Sequence, residues 1–202
     1  MHLFLIAGEP SGDKLGGALM AGLKALEPGV SFTGIGGVDM AAQGLESRFP
    51  MEELSVMGIA EVLPKYRQLK RRIAETAAAV AEARPDALIT IDSPDFCLRV
   101  AKAAKELGYD GPVIHYVAPS VWAWRPGRAV KMAKVVDHVL ALLPFEPPYM
   151  EAAGMSCDFV GHPVVAEERA TKAQADAFRA ANDIAPDAPL ALGLPGARRG
   201  EV

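Results

Sequence analysis

In the stretch IAGEPSGDKLGG, residues 6–17, Glu9, Ser11 and Asp13 stand where an apolar run gives way to a helix-forming pattern. Glycine-rich turns at such a junction often cradle phosphate. Here two carboxylates would repel it, and Lys14 is misplaced for a GxxxxGK[ST] loop. Ionised acceptors beside a hydroxyl suit the hydroxyl groups of a sugar, because the charge strengthens each hydrogen bond. Capping of the following helix accounts for Ser11 or Asp13 taken singly. The hexapeptide as a whole reads as a ligand loop.

Two further stretches carry chemistry. In TIDSPDF, residues 90–96, Asp92 ends an apolar run and Pro94 starts a helix, so Asp92 is placed to take a proton from an attacking hydroxyl. Asp95, in the first helical turn, has a structural task facing the helix dipole. In HYVAPSVWAWRPGR, residues 115–128, both tryptophans of the chain, Trp122 and Trp124, share a loop with Ser120, Arg125 and Arg128. Aromatic faces stack on sugars or bases, and guanidinium groups pair with phosphate. One tryptophan is expected to plug the core beneath the loop and the other to face ligand.

Other signals are weaker. KYRQLKRR concentrates Lys65, Arg67, Lys70, Arg71 and Arg72 on a helix whose apolar stripe is Ile59, Val62, Leu63, Tyr66, Leu69, Ile73 and Val80. Such a basic face is as readily a solvated surface as a contact for anionic lipid. His162, after a strand in FVGHP, reads as a ligand contact; His115 and His138 read as strand or core residues. The four histidines lack metal-ligand spacing, and no GxSxG elbow or Cys–His pairing is present. Near the end, Gly196, Arg198 and Arg199 could bind a diphosphate.

The elements that must hold these residues follow from alternating short apolar runs and amphipathic stretches. Strands are predicted at residues 2–7, 31–35, 87–91, 113–117, 138–142 and 157–160. Helices are predicted at 11–26, 59–83, 96–107, 127–135, 147–153 and 171–182. Strands apolar throughout and separated by helices form a mostly parallel sheet covered on both faces, a doubly wound, Rossmann-like α/β domain. Ligands of such a domain lie beyond the carboxyl ends of the strands, where all these loops fall. The expected organisation is a domain over residues 1–165, a linker and connecting helix over 166–189, and the start of a second α/β domain over 190–202, opened by an apolar run at 190–194.

A chain of 202 residues that is 50% apolar and 23% charged can bury a core without staples. Its net charge of −4 argues against a general nucleic-acid binder. Cys97 and Cys157 are isolated and form no disulfide framework. The chain enters a strand without a signal peptide, and no apolar run reaches the roughly 20 residues of a membrane span, so a cytosolic protein with at most peripheral membrane contact is expected.

Taken in order, AGEPSGD, ELSVMGIAEVLP, IDSPDF, HYVAPSVWAWRPGR, LLPFE, FVGHP and LPGARRGE resemble the lipid-A-disaccharide synthase family over essentially the whole chain. The resemblance implies the first half of a GT-B glycosyltransferase, two Rossmann-like domains facing across a cleft. It implies condensation of UDP-2,3-diacylglucosamine with 2,3-diacylglucosamine 1-phosphate to a β-1,6-linked lipid A disaccharide 1-phosphate and UDP. It further implies the cytoplasmic face of the inner membrane in Gram-negative bacteria, and no metal or organic cofactor. On the family's IDxPDF motif, Asp92 is the expected general base on the acceptor's 6-hydroxyl. On its PGSR motif, Arg198 is expected to stabilise the leaving diphosphate, with Ala197 replacing the usual serine. Glu9, Ser11 and Asp13 occupy the GExSGD loop, expected near the reacting sugars. The chain is expected to be truncated and inactive alone. A binding module without turnover and a nucleotide-sugar epimerase are the competing readings; oligomeric state is open.

Overall fold

A computed structural model of the chain describes residues 1–54 and 59–193, the side chains of 59–65 excepted. The chain divides into two units, residues 1–162 and 163–202.

The first unit is built on six parallel strands: β1 (His2–Ala7), β2 (Ser31–Ile35), β3 (Ala87–Ile91), β4 (Val113–Tyr116), β5 (His138–Ala141) and β6 (Ser156–Phe159). Their order across the sheet is β2-β1-β3-β4-β5-β6. Between them run α1 (Pro10–Leu26), α2 (Val38–Ala42), α3 (Ile59–Ala83), α4 (Pro94–Glu106), α5 (Gly127–Met132) and α6 (Pro147–Glu151). The central strands are apolar because both faces are covered. Every residue of β3 is buried, as is β1 after its first residue. Burying each large aliphatic side chain there contributes about 1.5–3 kcal/mol. Helix α1 packs with α2 and against β1 and β3, while α3 packs with α4.

Chain direction across the sheet reverses between β1 and β3, which lie side by side with Ala7 opposite Ile91. In open α/β sheets that reversal opens a crevice at the carboxyl edge. The loops following β1 and β3 therefore begin as immediate neighbours.

The predicted strands and helices form within one or two residues at either end, apart from α5, which stops three residues short, and three elements were not foreseen. These are helix α2, a 3₁₀ turn at Met51–Glu53, and a second 3₁₀ turn, Pro163–Ala166, which opens the second unit. That unit also contains α7 (Lys172–Ala181), capped by a reciprocal box in which Thr171 Oγ1 accepts from the Gln174 N–H and Gln174 Oε1 accepts from the Thr171 N–H. The apolar run at 190–194, expected to open a second α/β domain, forms no strand over its described residues, 190–193. A single strand without a neighbour gains no ladder hydrogen bonds, and the described residues supply it none.

Candidate functional site

The carboxyl edge of the sheet gathers the loops after β1, β3, β4 and β5. The sheet ladder runs on past the strands to anchor them: the Asp92 N–H donates to Tyr116 O at 2.9 Å, and the Val117 N–H donates to Leu140 O at 3.0 Å. The loops after β3 and β4 thus leave from fixed points.

Asp92 is half-buried and has φ +49°, followed by Ser93 at +42°. Two successive left-handed residues turn the chain sharply between β3 and α4, at a cost of roughly 1–2 kcal/mol each. Past the turn, Ser93 O accepts from the N–H groups of Phe96 and Cys97, starting α4. The Cys97 thiol, fully buried in that first helical turn, is held well above its ordinary range, chiefly by burial and secondarily by the charge of Asp92 nearby. On the next loop, Val117 has φ +84° and Arg125 φ +53°. Left-handed backbone is uncommon for any non-glycine residue and an outlier for a β-branched one. Of six such residues among those described, four lie in the loops after β3 and β4.

The first loop meets the third-strand loop directly. A Cβ on Gly8 would fall 2.7 Å from Ser93 Oγ, so a larger residue there would displace the Ser93 side chain. Glu9 is half-buried at the N-cap of α1, and Ser11 is exposed in its first turn.

Asp13 corrects its sequence reading. It is only 3% exposed, and its carboxylate accepts from the N–H groups of Gly37 (2.7 Å), Asp39 (2.9 Å) and Met40 (3.1 Å). It faces the turn after β2 and holds the start of α2. The tryptophans correct theirs too. Neither plugs the core: Trp122 is 45% and Trp124 55% exposed. Trp122 packs perpendicular to Phe145, from the loop after β5, with ring centroids 5.2 Å apart; Arg125 stacks over Trp124 at 4.2 Å. Ser120 is exposed, and its carbonyl accepts from the Ala123 and Trp124 N–H groups. His162 is exposed at the end of the first unit.

The basic stretch lies in the first half of α3. Arg72 leaves that patch: its guanidinium grips both Glu53 oxygens (2.7 and 2.9 Å), reaches Glu75 at 2.9 Å, and stacks on Phe49 at 4.3 Å. Hydrogen bonds from Arg72 and Gln68 pull the Glu53 carboxyl down to about 2. Arg67, Lys70 and Arg71 are exposed, Arg71 pairing with Glu75 at 3.4 Å. The side chain of Lys65, and Gly196, Ala197 and Arg198 entirely, lie outside the described residues.

Sequence reasoning passed over the Gly8–Ser93 contact, Phe145 as partner of Trp122, and a buried polar pair under the site. In that pair Thr90 Oγ1 and His115 Nδ1 are 2.7 Å apart, at positions facing each other across β3 and β4. Burial first, and the charge of Arg128 second, lower His115 to about 4. The signal available in sequence was a polar residue at the matching place of two otherwise apolar strands. Among the described residues there is no cluster of histidine, cysteine and carboxylate groups able to hold a metal ion, and no helix long and apolar enough to cross a membrane.

Known proteins supply the context for this edge. Residues 3–202 match the family described as lipid-A-disaccharide synthetase. The chain is 67% identical over its full length to a lipid-A-disaccharide synthase of Ruegeria pomeroyi, covering 50% of that protein, and 58% identical over 99% of its length to one of Rhodospirillum centenum, again covering 50%. It spans about half the length of these curated relatives. Among solved structures it resembles the UDP-GlcNAc 2-epimerase of Neisseria meningitidis bound to UDP-GlcNAc (TM-score 0.56, 11% identity, 82% of this chain and 47% of that one). It also resembles Anabaena HepE in complex with UDP and glucose (TM-score 0.53, 15% identity, 90% and 50%). These likenesses are of fold, the Rossmann-like half of a GT-B architecture. With a family match running from the third residue to the last, the chain belongs to the lipid-A-disaccharide synthase family.

Proposed function

We propose that this chain supplies the acceptor-side half of an inverting glycosyltransferase that joins UDP-2,3-diacylglucosamine to 2,3-diacylglucosamine 1-phosphate. In this reading Asp92 takes the proton of the acceptor's 6-hydroxyl as its oxygen attacks the anomeric carbon of the donor. The bond from that carbon to the diphosphate breaks, and UDP departs with the electron pair. Arg198 is assigned to the charge that develops on the diphosphate, and Gly196 to backbone contact with it. Glu9, Ser11, Ser120, Trp122, Trp124 and His162 are assigned to the sugars. Asp13 is reassigned to shaping the loop. A single in-line displacement needs one base, a stabilised leaving group and fixed positions.

The observation that carries the proposal is the strained backbone at Asp92 and Ser93, beside the β1/β3 reversal, and at Val117 and Arg125 in the loop after the neighbouring strand β4. Strain persists where surrounding structure enforces it, and such places are commonly functional. On this reading the four remaining cations of α3, Lys65, Arg67, Lys70 and Arg71, meet anionic lipid at the inner face of the inner membrane, bringing the enzyme to its lipid substrates.

The test joins these 202 residues to the remaining half of the Ruegeria pomeroyi relative and assays disaccharide formation. Replacing Asp92→Asn is expected to slow transfer by about 10²–10⁴-fold, the usual contribution of a general base. Undiminished transfer would remove Asp92 from the mechanism. Release of free sugar from UDP-sugar without lipid acceptor would instead make the protein an epimerase-type enzyme.

A further inference from the structure

We infer that Ser93, seated against Gly8, is a positioning residue that fixes the Asp92 turn relative to the Glu9 loop. The inference rests on the reading above and adds what holds the assigned base in place. The β1–β3 register ends with Ala7 opposite Ile91. Past it the two chains meet side chain to backbone. A methyl built on Gly8 would fall 2.7 Å from Ser93 Oγ and 3.0 Å from Ser93 Cβ. Leu54, a buried residue, closes the other side, with its Cβ at an ordinary contact distance of 3.7 Å from the same point. Gly8 thus presents bare backbone to a space that Ser93 fills. Each partner is the immediate neighbour of an assigned residue, Gly8 of Glu9 and Ser93 of Asp92. Those two are tied to their own elements: Glu9 O accepts from the Asp13 N–H at 2.9 Å, and the Asp92 N–H donates to Tyr116 O at 2.9 Å.

The backbone shows that the Ser93 side chain has a task. With φ +42° and ψ 52° it is left-handed, a conformation that glycine adopts without steric cost and serine does not. Serine at a helix N-cap ordinarily accepts, through its hydroxyl, from an N–H of the first turn. Ser93, the N-cap of α4, makes no such side-chain bond, and its carbonyl accepts from Phe96 and Cys97 instead. Neither backbone preference nor capping accounts for a side chain at this position; the fit against Gly8 does. Gly8 lies outside the left-handed region, so its lack of a side chain serves the contact and not a turn. Rotation about one bond would carry Ser93 Oγ clear of an intruding methyl. Its Cβ, however, belongs to the turn, and yields only if residues 92 and 93 move. Such a shift passes to Asp92, and a working base must be held to within about 0.5 Å of its productive place.

The experiment uses the joined, active enzyme described above and moves one small group across the contact. Gly8→Ala crowds it, Ser93→Gly empties it, and the two together put the methyl of residue 8 into the space that Ser93 leaves. Each single substitution is expected to lower kcat by about tenfold while the KM of either substrate stays within about threefold. The double variant should recover kcat to within about threefold of wild type, the non-additivity of residues in contact. A contact that only supports the fold would move urea midpoints and leave kcat of the folded enzyme untouched. That result, or losses that add in the double variant, overturns the inference. If Gly8→Ala fails to fold, Ser93→Gly is compared with and without it: a gain in kcat supports the fit, and no gain, failure to fold included, overturns it. Asp92→Asn, measured alongside, separates this inference from the reading beneath it. Slower transfer there with no loss in Gly8→Ala sinks the positioning role and leaves the base standing. Undiminished transfer there removes the base and the positioning role with it.

Discussion

At the scale of single residues, the two carboxylates of the first loop show how one residue type serves opposite ends. Glu9 stands half-buried at the N-cap of α1, while Asp13, four residues on, is enclosed and accepts three backbone N–H groups. A Cβ on Gly37 would fall 2.6 Å from Asp13 Oδ2, so glycine and aspartate are matched in space. Removing the carboxylate strands three donors at a crowded turn. Asp13→Ala is therefore expected to destabilise the protein by about 2–4 kcal/mol, the range for unsatisfied buried groups and a lost cap. Ser11→Ala, at an exposed position, should change stability by less than about 0.5 kcal/mol. Urea unfolding of both variants checks this, through midpoints compared at constant slope. Equal midpoints would mean that the Asp13 contacts contribute nothing net.

Elements show why part of the site was legible in sequence and part was not. Strands and their carboxyl-end loops could be read directly, because full burial leaves uninterrupted apolar runs and chemistry-bearing residues begin where each run stops. Helix α2 could not. It is five residues long, and its start is held by a carboxylate 24 residues earlier in sequence, a tertiary signal with no local trace. Arg72 likewise belongs by spacing to a basic face, yet Glu53 and Phe49 draw it inward. The Thr90–His115 pair makes the link between β3 and β4 measurable. His115 titrates at about 4 in the folded chain, below its ordinary 6.5, because burial disfavours the imidazolium. Between those values the unfolded chain takes up a proton that the folded chain refuses. Stability is accordingly complete above pH 6.5 and falls as pH drops through that window, by up to ~3 kcal/mol. His115→Gln should lack this share of the decline, so the difference in unfolding free energy between wild type and variant should itself vary from pH 7 to pH 4. A constant difference would show that His115 charges freely in the fold.

For the molecule as a whole, the site's working geometry depends on where stability is concentrated. Asp92 is one residue beyond β3, and β3 lies between β1 and β4 with every side chain buried. Backbone hydrogen bonds at Asp92, Val117 and Val160 carry the sheet ladder one residue past the strand ends. A base that must meet a hydroxyl within hydrogen-bond reach gains from leaving the most rigid element the fold offers. The second unit contrasts with this. Helix α7 is ten residues long and has no buried residue, so it rests on its capping box, the Lys172–Asp176 pair and local hydrogen bonds. A helix of that length is marginal on such support alone. Native-state hydrogen exchange should therefore resolve two populations. Amides of β1 and β3 should exchange only through global unfolding, with opening free energies equal to that from denaturant. Amides of α7 should open at no more than about 1–2 kcal/mol, by fraying. The Asp92 amide is the informative one. Bonded to Tyr116 O, it should exchange with the strands and not with the loops, despite its left-handed backbone. Exchange at the rate of α7 would mean that the proposed base is held loosely, and the rigid-edge account of its placement would fail.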